Sequence, residues 1–230
     1  MVNTVGSYES KHCQKKWLAI KRSAVITSLQ KSLIVGSMLG DATMRMGEGA
    51  VNANFKIEHG LMQKEYVMWK YEILKPLVLT QPNLSFRYKE NGLRYAKSWW
   101  FRTIRHRLFT EIYVRFYTRN GYKCGKKIIS EEIKDAINPV VLAVWIMDDG
   151  SYSRGKIDIS TYSFSLPEIQ LLQAALVSKY DIHSNFYKDR NKGFRMYFNI
   201  QETKKIVKVI YPYIIPTMKY KIGFHNPVTT

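Results

Sequence analysis

Two segments of this chain share a pattern that few folds can accept. Ile34-Val35-Gly36-Ser37-Met38-Leu39-Gly40-Asp41-Ala42 is an apolar run of helical length ending in a small residue, an acid and another small residue. Leu142-Ala143-Val144-Trp145-Ile146-Met147-Asp148-Asp149-Gly150 has the same plan in the second half. A helix that is apolar on every side has to be surrounded by protein. Its C-terminus already carries partial negative charge, so an acid there is disfavoured unless a cation offsets it. A chain that does this twice asks for a cation at both ends, and a hard divalent metal with oxygen ligands suits carboxylates.

The series of elements after each acidic end is also repeated. Polar and apolar residues alternate over 43–58, with Val51, Ala53, Phe55 and Ile57 on one parity and Asn52, Asn54, Lys56 and Glu58 on the other. That is the pattern of a half-buried strand. The spacing of Tyr66, Trp69, Ile73 and Leu74 predicts a helix over about 62–77, closed near Pro76. Two strand-like runs flank Asn91-Gly92, a hairpin signal, and a helix is expected over roughly 101–116. In the second half Lys156, Asp158, Ser160 and Tyr162 alternate with Ile157, Ile159 and Thr161. Pro167-Glu168 opens a helix with Ile169, Leu172, Leu176 and Val177 on one face. Strands are expected over 183–190 and 193–200, and a closing helix over 202–211. The chain therefore divides into a basic lead-in (1–27), a first repeat (28–116), a connection (117–137) and a second repeat (138–230). The expected class is α+β, with two αββαββα repeats.

Charge narrows the partner. Lys and Arg number 36 against 18 for Asp and Glu, a formal net charge of +18, which suits a polyanion. No apolar run approaches the roughly 20 residues that span a bilayer, so nucleic acid is favoured over membrane. Cys13 and Cys124 make neither a disulfide framework nor a zinc site, and a reducing compartment is expected, organellar or prokaryotic. The N-terminus lacks a signal-peptide core. Lys11, Lys15, Lys16, Lys21 and Arg22 make residues 1–27 a basic lead-in.

With the motifs on the page, the chain resembles the LAGLIDADG homing endonucleases of the single-chain, two-repeat class. The resemblance rests on the helices ending Gly40-Asp41-Ala42 and Asp148-Asp149-Gly150, each heading a matching series of elements, and covers about residues 28–222. It implies two saddle-shaped antiparallel sheets that straddle DNA and meet where the motif helices cross. It further implies a monomer that makes a staggered double-strand break at a long, mostly asymmetric site and so promotes the mobility of an intron. A maturase that helps its host intron RNA splice on the same fold is the alternative. Motif one offers Gly36 and Gly40 to the crossing where motif two has Val144 and Asp148, so either the crossing is asymmetric or Val144 faces elsewhere.

The resemblance assigns Asp41 and Asp149 to catalysis and metal binding, with the Gly40 and Asp148 carbonyls as further ligands. Mg²⁺ is the implied cofactor, two or three divalent ions with DNA bound, with Mn²⁺ as a substitute. Mg²⁺ prefers one or two carboxylates, phosphate oxygens and several waters, and two acids fit that number. Lys127 and Lys221 match the family's active-site lysines, with Lys126 and Lys219 as the neighbouring choices.

Seven Lys/Arg and one acid fall between residues 84 and 107, among Phe86, Tyr88, Tyr95, Trp99, Trp100 and Phe101. A sheet with one wet basic face can lie in the major groove, where Arg and Lys read guanine and Asn reads adenine. The expected DNA contacts in repeat one are Arg45, Asn52, Asn54, Lys56, Arg87, Lys89 and Arg94. In repeat two they are Arg154, Lys156, Asp158, Ser160, Lys188, Arg190, Arg195, Tyr197 and Asn199. Gly121 through Lys127 has the wrong spacing for a phosphate-binding Walker loop. His225-Asn226 lacks the partners of an intein end. His12, His59, His106 and His183 are scattered without ligand spacing and read as structural or surface residues.

Overall fold

The computed structural model describes residues 18, 19, 22–47, 49–120 and 123–224. Most of the basic lead-in, with Lys11, His12, Cys13, Lys15, Lys16 and Lys21, lies outside the described residues, as does His225-Asn226. The first repeat comprises α1 (Ser28–Leu39), β1 (Thr43–Arg45), β2 (Asn54–Gly60), α2 (Lys64–Leu74), β3 (Asn83–Tyr88), β4 (Arg94–Arg102) and α3 (Arg107–Phe116). A hairpin of β5 (Tyr117–Asn120) and β6 (Lys123–Lys127) and a short helix α4 (Glu131–Asp135) lead onward. The second repeat comprises α5 (Pro139–Asp149), β7 (Gly150–Ser153), β8 (Lys156–Ser160), α6 (Leu166–Tyr180), β9 (Asn185–Lys188), β10 (Phe194–Phe198) and α7 (Ile200–Ile210). Two 3-10 segments come last, Tyr211–Tyr213 and Pro216–Ile222. The sheet orders, β1-β2-β4-β3 and β7-β8-β10-β9, match, and every pair is antiparallel.

The motif helices start on side-chain caps. Thr27 accepts from the Gln30 amide at 3.2 Å while the Gln30 side chain accepts from the Thr27 amide at 3.0 Å, a reciprocal cap. Asn138 accepts from the Val141 amide at 3.0 Å, and Pro139 needs no amide partner in the first turn. The two helices then cross at very short range. A Cβ built on Gly36 would lie 2.7 Å from the Val141 carbonyl oxygen and 2.8 Å from Val144 Cβ, and one on Gly40 would lie 2.4 Å from Asp148 Cβ. The crossing is thus asymmetric: α1 supplies the space and α5 fills it.

Each sheet turns one face to its helices. Phe55, Ile57 and Phe101 are buried with Tyr71 and Phe109; Phe55 stacks on Phe109 and Tyr71 meets Phe101 edge-on. Ile157, Ile159, Met196 and Phe198 do the same with Ile169, Leu172 and Ile206.

Two expectations need correction. The helix expected over 101–116 begins only at Arg107, capped by His106, because Trp99-Trp100-Phe101 continue β4 and Phe101 pairs with Ile57. Aromatic residues prefer such a half-buried pleated surface. Val51 does not join the apolar face; it is 83% exposed and precedes β2. The connection over 117–137 is built of a hairpin and a helix, with Ile129, Ile133 and Ile137 in the core.

Candidate active site

The C-termini of α1 and α5 lie side by side and expose carbonyls that no helical amide can satisfy. A lysine reaches each. Lys127 Nζ donates to the Gly40 carbonyl at 2.8 Å, and Lys221 Nζ donates to the carbonyls of Asp148 at 3.3 Å and Gly150 at 2.7 Å. Cations suit a helix C-terminus. The neighbouring lysines point elsewhere: Lys126 is exposed, and Lys219 donates to the Tyr211 hydroxyl at 3.1 Å. Lys127 comes from the end of β6 and Lys221 from the last 3-10 segment, so unrelated elements meet the same need.

The three acids have different surroundings. Asp41 keeps 48% of its side chain exposed and has His59 Nδ1 at 3.4 Å from Oδ2. Burial pushes its pKa up, but the His59 contact and the charges of Lys70 and Lys221 outweigh this and hold the carboxyl below its ordinary value. Asp149 is partly buried and makes no hydrogen bond or ion pair among the described residues. Burial first, then repulsion from Asp41 and Asp148, pushes it up to about 8. Asp148 is wholly buried. Its Oδ1 accepts from Tyr66 Oη and from Lys70 Nζ, both at 2.6 Å, and its Oδ2 faces the Asp41 amide at 3.4 Å. Burial pulls the Lys127 and Lys221 ammonium groups down, against the pull of the acids.

These surroundings fit a divalent metal between Asp41 and Asp149. Burial, then the charges of Asp41 and Asp148, keep Asp149 high despite Lys127 and Lys221, and a cation between the acids would relieve that repulsion. Among the described residues no cluster of three or more His, Cys, Asp or Glu forms a cage. The Asp148 side chain is committed to Lys70, Tyr66 and the Asp41 amide, and its carbonyl, like that of Gly40, already accepts from a lysine.

His59 and Lys70 were missed as parts of this site. Lys70 is fully buried on the α2 face that also carries Tyr66 and Leu74. A lysine on the apolar stripe of a helix was the available signal.

The sheets' outward faces carry much of the expected basic surface. In the first, Lys56 pairs with Arg102 and Glu58 with Trp100. Ser85 pairs with Ser98 but Phe86 with Ala96, so Lys97 is an extra residue that bulges β4. Arg87 consequently shares the outward face with Lys56, Lys97 and Arg102. Arg94 takes the opposite face, where its guanidinium lies 3.7 Å over the Phe86 ring. Arg45 and Lys89 are exposed. Asn54 is buried and Asn52 accepts from Thr110 at 3.3 Å, so neither is a free base reader here.

In the second sheet Lys156, Asp158 and Ser160 face outward with Arg195 and Tyr197. Arg195 is held by the Tyr162 hydroxyl at 3.1 Å and Ser151 Oγ at 3.0 Å. Two expectations fail. Lys188 pairs with Phe194 and so lies on the other face, leaving Asn185 and Tyr187 outward; a shift of one residue reverses every side chain. Asn199 lies beyond β10 and caps α7, accepting from the Glu202 amide at 3.0 Å. Arg154 and Arg190 sit in turns with positive φ.

Known proteins resemble this chain in sequence and fold. The profile of the LAGLIDADG DNA endonuclease family matches residues 31–206. The chain is 32% identical over 216 residues to a Debaryomyces hansenii protein called cytochrome b mRNA maturase bI2, covering 90% of this chain and 80% of that one. It is 28% identical over 214 residues to DNA endonuclease I-ChuI of Chlamydomonas applanata, covering 87% and 97%. The homing endonuclease I-WcaI, solved bound to its DNA recognition sequence, shares the fold with a TM-score of 0.80 at 24% identity, covering 90% and 92%. No described helix is long and apolar enough to cross a membrane.

Proposed function

The chain belongs to the LAGLIDADG DNA endonuclease family, and from that premise we propose that it is a monomeric homing endonuclease cutting both strands of a long DNA site by metal-assisted hydrolysis. The observation that carries this reading is the meeting of Asp41 and Asp149 at the ends of crossed helices, each beside a lysine bound to a helix-end carbonyl. Divalent ions, Mg²⁺ or Mn²⁺ in its place, supply charge neutralisation on the phosphate and a reactive hydroxide when bound. Asp41 and Asp149 hold and orient them. Lys127 and Lys221, their ammonium groups lowered by burial, stand where they can steady the leaving oxygen or exchange a proton with water. Arg87, Lys97, Arg102, Lys156 and Arg195 on the outward sheet faces meet phosphates and base edges.

A second reading has its own support. The relative at 32% identity is called an mRNA maturase, which favours an RNA-splicing role on the same fold. One pair of assays separates them. Duplex DNA spanning the intron insertion site is incubated with protein and Mg²⁺, and the intron transcript is incubated separately. Cleavage of the duplex supports the endonuclease; accelerated splicing with an intact duplex overturns it in favour of the maturase.

A further inference from the structure

A buried chain of polar groups runs from motif two to Asp41. Asp148 Oδ1 lies 2.6 Å from Lys70 Nζ, and Lys70 Nζ lies 3.0 Å from His59 Nε2. His59 Nδ1 lies 3.4 Å from Asp41 Oδ2. The Tyr66 ring packs 4.9 Å from the His59 ring while its hydroxyl donates to Asp148, which closes the cluster. Asp148, Lys70, His59 and Tyr66 are all buried.

The bonding pattern selects a tautomer. An ammonium group has only donors, so a Lys70 ion-paired to Asp148 must donate to His59 Nε2. The neutral imidazole then carries its proton on Nδ1, the ring nitrogen 3.4 Å from Asp41 Oδ2.

The other repeat lacks the device. Thr43 pairs with Lys56 and Ser151 with Asp158, so Lys56 and Asp158 correspond. Counting onward equally, Thr161 stands for His59 and Leu172 for Lys70. Thr161 Oγ1 donates to the Phe194 carbonyl at 2.8 Å, and Leu172 is core. Gly40 stands for Asp148. Three differences therefore occur together, and among the described residues the Asp149 carboxylate has no hydrogen-bonded partner, only the charges of Lys127 and Lys221.

We propose that His59 and Lys70 are positioning residues that orient Asp41 alone, making the two cleavage centres unequal and their strands cut at different rates. This rests on the endonuclease reading for its strand consequence, whereas the tautomer does not.

The test has two parts. Imidazole ¹⁵N spectra of the metal-free protein report the His59 tautomer directly: Nδ1 protonated with Nε2 bare supports the relay, and the reverse tautomer overturns it. Strand-resolved, single-turnover cleavage with Mg²⁺ is then measured for wild type, His59→Leu and His59→Asn. His59→Leu is expected to slow one strand roughly 10- to 100-fold, the range seen when a ligand's outer partner is lost, so that nicked DNA accumulates. Asn places an N–H where Nδ1 was and is expected to restore most of that rate. Equal slowing of both strands, no slowing, or no rescue by Asn overturns the proposal. If wild type cuts nothing, the endonuclease reading fails, and the tautomer still decides the relay.

Discussion

The ends of α1 and α5 occupy corresponding places and reach similar ends by different means. At the end of α1, Gly40 is small, Asp41 is half exposed and His59 stands against it. At the end of α5, Asp148 takes the space that Gly40 leaves, and the Asp149 carboxylate faces the acids with no hydrogen-bonded partner among the described residues. What is shared is the lysine on the helix-end carbonyl, Lys127 in one case and Lys221 in the other. The two repeats thus share the acid and the cation, while the groups behind them differ on both sides of the crossing together, as Asp148 and Lys70 do against Gly40 and Leu172.

The largest expected effect bears on what is shared. Asp41→Asn and Asp149→Asn should each abolish double-strand cleavage, a loss of about 10³-fold or more, and leave DNA affinity within a few-fold on a mobility-shift assay. Asp148→Asn should do less harm to chemistry, since its carboxylate is committed to Lys70 and Tyr66 behind the site and bears on Asp41 indirectly. Normal cutting by Asp149→Asn with a dead Asp148→Asn would move the motif-two register by one residue.

The next bears on what differs. Lys70→Met strands a buried carboxylate and should cost about 3–5 kcal/mol in denaturant unfolding. Combining Lys70→Leu with Asp148→Gly installs the pair that the other repeat uses. It should regain at least half of that loss, because removing both charges removes the burial penalty too. Full additivity of the two losses would rule out a coupled exchange.

A smaller effect comes from Asp149. Its folded-state pKa is raised from an ordinary 3.8 to about 8. Between those values the folded chain holds a proton that the unfolded chain has released, so stability falls as pH rises through this window. The slope is at most about 1.4 kcal/mol per pH unit. Metal-free melting curves at several pH values should show it, and Asp149→Asn should flatten it. Asp41, whose pKa is lowered, should contribute the opposite sign at acid pH.

The smallest concerns the sheets. Glu58 holds Lys56 and Lys97, and burial notwithstanding, those bonds and that of Ser98 bring its carboxyl down to about 2. Asp158 in the second sheet accepts no such lysine pair among the described residues. Glu58→Gln should free both lysines and tighten DNA binding by no more than about fivefold, the scale of an exposed ion pair. Weaker binding would mean that Glu58 positions them.

Much of the fold was legible because its signals are local. Gly40-Asp41-Ala42 and Asp148-Asp149-Gly150 end apolar runs, Asn91-Gly92 and Asn191-Lys192-Gly193 mark hairpins, and Pro167-Glu168 opens a helix. What was hidden depends on long-range pairing. The bulge at Lys97 reverses Arg94 and is decided by the partner strand. The register of β9 turns Lys188 away from Arg195. Asp148 and Lys70 meet only because α2 packs behind the crossing, and neither charge announces the other along the chain. His59 looked like an isolated histidine for the same reason.

If one chain contains both halves of a cleavage site, stoichiometry will show it. Protein is titrated into a fixed amount of duplex target at concentrations well above the dissociation constant, with Mg²⁺, and single-turnover cleavage is read at each step. Double-strand cleavage should saturate at one chain per duplex. Saturation at two chains per duplex, with Asp41→Asn and Asp149→Asn restoring activity when mixed, would contradict the two-repeat site.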